Sequence, residues 1–221
     1  MTPYEILLLL HILLFVYWLG GDLGVFYSSG FVVDSSLSTE ARLTAAKIML
    51  GCDLVPRICM SLVLTIGGLL AHYVGIEHAS WQLLGIIVLG PLWLSMVLIL
   101  HFKHDAPYIN LLTKIDLSFR WVLIIGILAS CFCAYTTGRL EEAPWLIAKL
   151  LAFAFLVFCG LMIRIQIKGF ISSYVKLMQD NYTDADNKEM EASLNRVRPW
   201  VVTIWLVLVF EAFLGIVKPW I

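Results

Sequence analysis

Three residues in the first apolar run, Ile6–Phe26, could do chemistry: His11, Trp18 and Asp22. The run is long enough to cross a bilayer, which takes about 20 apolar residues. Yet it carries an imidazole, a carboxylate and a group of glycines. At helical spacing His11, Phe15, Trp18 and Asp22 form one stripe. Polar groups facing hydrocarbon are costly, so the stripe is expected to face protein, water or a bound group. A neutral imidazole in that setting is a ligand for a metal or for haem iron.

Two further stripes repeat the pattern. Arg57, Ser61, Thr65, Gly68 and His72 share a helix face, with Asp53 one turn before Arg57 as its expected partner. Lys149, Phe153, Leu156, Gly160 and Arg164 form a face that is apolar in the middle and charged at both ends. Depth relates the stripes. His11, His72 and Lys149 each lie a few residues inside a span end, roughly 5–8 Å below one membrane surface at about 1.5 Å per residue.

These three side chains are therefore expected to converge, with His11 and His72 as the metal ligands of a haem. Trp18 and Gly68 are expected to border the group, Gly68 by leaving space for a flat macrocycle. Lys149 and Arg57 supply the cations that carboxylates need at membrane depth, on cofactor propionates or on substrate. Together with Asp22 they are the candidate catalytic residues. His101 and His104, an i, i+3 pair at the end of the third span, have spacing for a metal or a second haem, although polar residues ordinarily end a span. His78 is expected to be solvated. Glu211, deep in the last span, is expected to pair with Lys218 or to serve in proton movement.

The elements that must position these groups are transmembrane helices. Hydrophobic residues make up 61% of the 221-residue chain, against about 45–50% for a soluble domain. Six spans are expected, at about 5–28, 54–75, 81–101, 119–137, 145–168 and 199–219, forming a single all-α membrane domain over 1–221. Twelve of the fifteen Lys and Arg residues fall on one set of ends and loops. That bias predicts both termini on the outer, periplasmic side of a bacterial inner membrane. The N-terminus lacks a basic stretch and a small-residue cleavage site, so it reads as a retained helix.

The five cysteines show no disulfide or zinc-ligand spacing and read as buried and inert. The first long connection is expected to form a helix capped near Ser38 and running into span two, with Pro56 bending it. The polar segment 179–199 reads as a solvated amphipathic helix. Within it, Asp184-x-Asp186 resembles the start of a calcium loop but lacks the glycine and the closing glutamate. A net charge of −1 gives no sign of nucleic-acid binding. Small-residue helix faces predict a homo-oligomer in the lipid bilayer.

His11, Trp18 and Gly21, followed by Phe26-Tyr27, give an H-x6-W-x2-G pattern that resembles the HemJ-type protoporphyrinogen IX oxidases and, more loosely, the CopD-like membrane proteins. Trp145-Leu146-x-x-Lys149-Leu150, with Cys159-Gly160 and a basic end, resembles that family's W-L-x-x-K-L helix. The resemblance implies an all-helical protein that binds haem b and oxidises protoporphyrinogen IX, with His11 as the iron ligand and Lys149 as the essential lysine. Electrons would leave to quinone or another carrier. The segment 76–137 has no counterpart in it. Two other functions fit the residues. One is a b-type cytochrome acting only as an electron relay, with one haem on His11 and His72 and another near His101. The other is a CopD-like copper or transport protein using Met49, Met60, Met96, Cys52 and Cys59.

Overall fold

A computed structural model describes residues 1–103 and 105–219. It contains α1 (Pro3–Val33), α2 (Thr39–Tyr73), α3 (Ser80–Phe102), α4 (Ile109–Thr136), α5 (Pro144–Gln166), α6 (Lys168–Met178) and α7 (Asp184–Val217), and no strand among the described residues. All except α6 are long and apolar enough to cross a membrane. The chain is thus a multi-pass helical bundle with six candidate spans. An even number of crossings brings the start of α1 and the end of α7 to one side, called here the terminal side.

Helix length divides the molecule into two parts. At about 1.5 Å per residue, α3 and α5 are about 35 Å long, close to the roughly 30 Å hydrocarbon layer. By contrast α1, α2 and α7 have 31, 35 and 34 residues. They therefore run about 46–52 Å and project on the far side. There they meet α6 around a separate small core of Val32, Ala45, Ala46, Phe170, Leu177, Met190, Leu194 and Val197.

Buried Arg42 ties this projection together. Its Nε donates to the Val32 carbonyl at 2.7 Å, and its Nη2 donates to Tyr182 Oη at 2.7 Å and Asn187 Oδ1 at 2.8 Å. The expected cap is present: the Ser38 hydroxyl accepts from the Ala41 amide, and α2 continues unbroken through Pro56. The helix expected in the polar segment is present from Asp184 onward. The chain breaks after α6, where Asp180 takes a left-handed φ of 55°. It restarts at a capping box in which the Thr183 hydroxyl accepts from the Asp186 amide and Asp186 Oδ2 accepts from the Thr183 amide. The second carboxylate of Asp184-x-Asp186 therefore starts a helix that runs directly into the last span.

Within the membrane layer α1 packs along α2 and α7, α3 packs on α2, and α5 lies between α4 and α7. Two glycines let α1 and α2 approach. A Cβ on Gly21 would meet Pro56 Cδ at 2.6 Å, and one on Gly24 would meet Cys52 Sγ at 2.9 Å. The α2–α3 seam is closed by Thr65, whose hydroxyl donates to the Ile86 carbonyl at 2.6 Å and accepts from the Gly90 amide at 2.9 Å. Ile86 and Gly90 are i, i+4 partners next to Pro91, so a hydroxyl from a neighbouring helix supports the backbone ladder where proline weakens it.

Candidate functional site

The stripe on α1 faces protein, as its residue types require. Trp18 is buried, His11, Phe15 and Asp22 are half-buried, and Leu9, Ile12, Val16 and Tyr17 are exposed on other faces of the helix. His11 points at α2, where a Cβ on Gly67 would stand 3.2 Å from its Cε1. Only glycine at 67 leaves room for the ring as it stands. His11 Nδ1 is buried and has no hydrogen-bond partner among the described residues. Lys149 lies within electrostatic reach of this imidazole. Lys149 Nζ pairs in turn with Glu211 Oε2 of α7 at 3.7 Å, and Gly215 provides the space its ammonium group fills.

One layer near the terminal side thus gathers an imidazole, an ammonium and a carboxylate from α1, α5 and α7. His11 is eight residues into α1, Lys149 five residues into α5, and Glu211 six residues before the end of α7. These positions are about 8–12 Å along the helices.

The convergence of His11 with Lys149 agrees with the expectation, but the third member is Glu211 and not His72. His72 is exposed and makes its ring contact with Tyr73 at 5.8 Å. The imidazole turned inward nearby is His78, which is hydrogen-bonded through Nε2 to the Gly68 carbonyl at 3.0 Å and so is not simply solvated. Gly68 leaves no space for a macrocycle, because Ile86 Cγ2 sits 2.7 Å from where its Cβ would be. That stripe of α2 packs against α3. Glu211 was expected to pair with Lys218, which instead lies over the Trp145 ring at 5.6 Å. His101 ends α3 half-buried against Phe102, with ring centroids 4.8 Å apart. Its companion His104 lies outside the described residues.

Arg57 and Asp22 belong to a second, far layer. Asp22 is 19 residues into α1, Asp53 is 20 residues before the end of α2, Asp116 is 20 before the end of α4, and Arg164 is 20 into α5. Twenty helical residues span about 30 Å, so all four sit at the far edge of the hydrocarbon. Asp53 and Arg57 form the expected i, i+4 ion pair. Asp116 is fully buried, and its Oδ2 accepts from Arg120 Nε at 3.1 Å and from Arg164 Nη1. Arg120 also reaches Met60 Sδ at 3.8 Å and lies over the Trp93 ring at 5.3 Å. Met60, a candidate soft metal ligand, is thereby occupied by a guanidinium. Asp22 sits beside Trp18, its buried Oδ2 without a partner among the described residues, and within electrostatic reach of Asp53. It is 11 residues, or about 16 Å, from His11 along the helix.

No family model, no curated protein and no solved structure matches this chain. What the site can hold must therefore be judged from its own donors. Among the described residues no three of His, Cys, Asp and Glu gather around a metal-ion position. For haem iron the fit is one-sided. His11 offers a buried nitrogen that no described residue uses, and Lys149 stands beside it as the cation a carboxylate requires. His72, exposed, and His78, bonded to the Gly68 carbonyl, do not share that position as a second ligand. An apolar groove of about 300 Å³ runs between α1 and α2, with Leu10 and Leu14, the neighbours of His11, in its wall. That is the low end of the size range for small-molecule sites.

Proposed function

We propose that this chain is a haem b-binding membrane oxidoreductase in which His11 is the protein ligand to iron. The observation that carries the reading is the buried, unpartnered Nδ1 of His11, held in a glycine cradle beside the Lys149–Glu211 pair. A polar nitrogen left unbonded at membrane depth is expensive, and a ligand that uses it removes the cost. When bound, haem supplies a one-electron acceptor that the side chains themselves lack.

The residues of the layer have distinct tasks. His11 fixes the iron position. Lys149 neutralises a carboxylate, either a cofactor propionate or a substrate acid group. Glu211 holds the ammonium in place and can exchange its proton partner when a carboxylate arrives. The resemblance around His11 and Lys149 makes oxidation of protoporphyrinogen IX the most concrete reaction, with a quinone or other carrier taking the electrons. Arg57 and Asp22, named with Lys149 as catalytic candidates, lie in the far layer and have no part in this reading. The two-haem relay is disfavoured because its outer haem needs His11 and His72 on one plane, and the copper reading because Met60 is taken by Arg120.

An optical spectrum and a pyridine haemochrome assay on the purified protein test the proposal. A Soret band with about one haem per chain, abolished by His11→Ala and retained in His72→Ala, supports it. A colourless, folded wild-type preparation overturns it.

A further inference from the structure

Helices α3 and α4 meet at two places and stand apart between them. About 20–25 Å from the terminal side, Trp93 of α3 packs edge-on against Phe119 of α4, with ring centroids 5.4 Å apart. At the terminal surface Arg139 Nη1 donates to Gln82 Oε1 at 2.9 Å. Between these contacts lies a slot of about 400 Å³, walled by Trp81 and Gln82 on one side and by Gly126, Ala129, Ser130 and Cys133 on the other. It opens toward lipid, since Ala129 and Cys133 are exposed and Trp81 is 75% open. The small residues of α4 do not serve close packing here. A Cβ on Gly126 would meet nothing within 4 Å, whereas Gly21, Gly24 and Gly90 are each filled by a neighbouring helix.

Two donors on the slot walls lack an acceptor among the described residues. The Ser130 hydroxyl, about 9 Å inside the end of α4, makes no hydrogen bond. Ser28, Ser61 and Ser95 in other spans each donate to a carbonyl three or four residues back. Gln82, about 3 Å into α3, uses only its side-chain oxygen, which accepts from Arg139 and from the Ala79 amide. Its NH2 group is left to donate. Arg139 brings a cation to the mouth, but Glu141 and Glu142 follow it, and Glu141 Oε2 lies 3.3 Å from the Cβ position of Gly138. The mouth therefore has no excess of positive charge, and a neutral head with carbonyl acceptors suits it better than an anionic one.

We propose that this slot binds the head ring of an isoprenoid quinone. One ring carbonyl accepts from Ser130 and the other from the Gln82 amide, the flat ring lies along the small-residue wall of α4, and the tail leaves into lipid. The choice of a quinone rests on the function proposed above, whose electrons need a lipid-soluble acceptor.

Cys133 reports on occupancy, because it is exposed in the slot wall while Cys59, Cys131 and Cys159 are buried and Cys52 is half-buried. Maleimide labelling of the detergent-purified full chain, read at Cys133 by mass spectrometry, follows it. A decyl-tailed ubiquinone, whose fully substituted ring does not add thiols, is expected to protect Cys133. Ser130→Ala is expected to raise the half-protecting concentration about fivefold, the share of one hydrogen bond. Ala129→Leu fills the slot and is expected to abolish the dependence on quinone, and Ser172→Ala on α6 is expected to behave as the wild type. An unprotected wild type overturns the proposal, as does a Ser130→Ala protein protected at the wild-type concentration. Equal protection by a short-chain phosphatidylcholine assigns the slot to a lipid chain and overturns it too. The haem reading fails separately: a colourless but protected protein keeps the slot and loses the haem, and a coloured, unprotected one does the reverse.

Discussion

The two polar layers differ in how their charges are satisfied. In the far layer Asp116 is wholly enclosed and holds two arginines, and one of these is further clamped by Trp93 and Met60. In the layer near the terminal side, His11 has an unbonded nitrogen, and the Lys149–Glu211 contact is a longer 3.7 Å. The far layer has unbonded atoms of its own, Asp22 Oδ2 and Asp116 Oδ1, but Arg120 and Arg164 tie α2, α4 and α5 together through Asp116 and Met60. The layer near the terminal side has no such tie through His11 Nδ1 and keeps that bonding capacity for the proposed ligand. We therefore read the far layer as mainly architectural and the layer near the terminal side as the proposed site of chemistry.

The sharpest way to break this contrast is Asp116→Asn. It leaves two guanidiniums at the hydrocarbon edge without their carboxylate, which costs about 3–5 kcal/mol in a buried pair. Thermal unfolding in detergent should show the largest loss of any single substitution in either layer. A change of less than about 1 kcal/mol would mean that the far layer is not structural. Glu211→Gln should cost less, about 1–3 kcal/mol, because Lys149 and Glu211 are 19% and 14% open and the contact is long. The double variant Lys149→Met, Glu211→Leu should recover most of that loss, and an equally destabilised double variant would show that the pair holds more than each other.

These effects rest on contacts of uneven legibility. The six spans and the Asp53–Arg57 pair follow from hydropathy and from i, i+4 spacing, and both are present. Asp116 and Arg120 have that same spacing, yet in sequence they look like ordinary charges at a span end. What marks them is a matched depth: counted from the terminal-side helix ends, Asp22, Asp53, Asp116 and Arg164 fall at nearly the same step. That count needs true helix boundaries, which hydropathy alone leaves loose by a turn. His72 misled because periodicity gives a helix face but not which neighbour the face meets; Thr65 and Gly68 on that face are engaged by α3.

Thr65→Val tests the seam that displaced the His72 expectation. The substitution keeps shape and removes both the bond to Ile86 and the bond from Gly90. Interhelical polar contacts in membranes contribute about 0.6–1.7 kcal/mol, so a loss in that range is expected by thermal unfolding. No loss would imply that proline-weakened α3 is supported elsewhere.

The smallest expected effect on stability carries the most information about function. His11 makes no hydrogen bond through Nδ1, so His11→Leu removes a buried polar atom and breaks nothing. Replacing an unsatisfied polar group by an apolar one of similar size is close to neutral or stabilising, within about 1 kcal/mol. The folded, equally stable variant should lack the Soret band that the wild type is proposed to show. Gly67→Ala should act on the same ring from the other side, because its methyl would stand 3.2 Å from His11 Cε1 and push the imidazole off its position. A shifted or weakened band there, with unfolding unchanged, would tie the spectrum to the geometry of one side chain. If His11→Leu instead destabilises the protein as much as Asp116→Asn, the imidazole is part of the scaffold, and the division between the two layers fails.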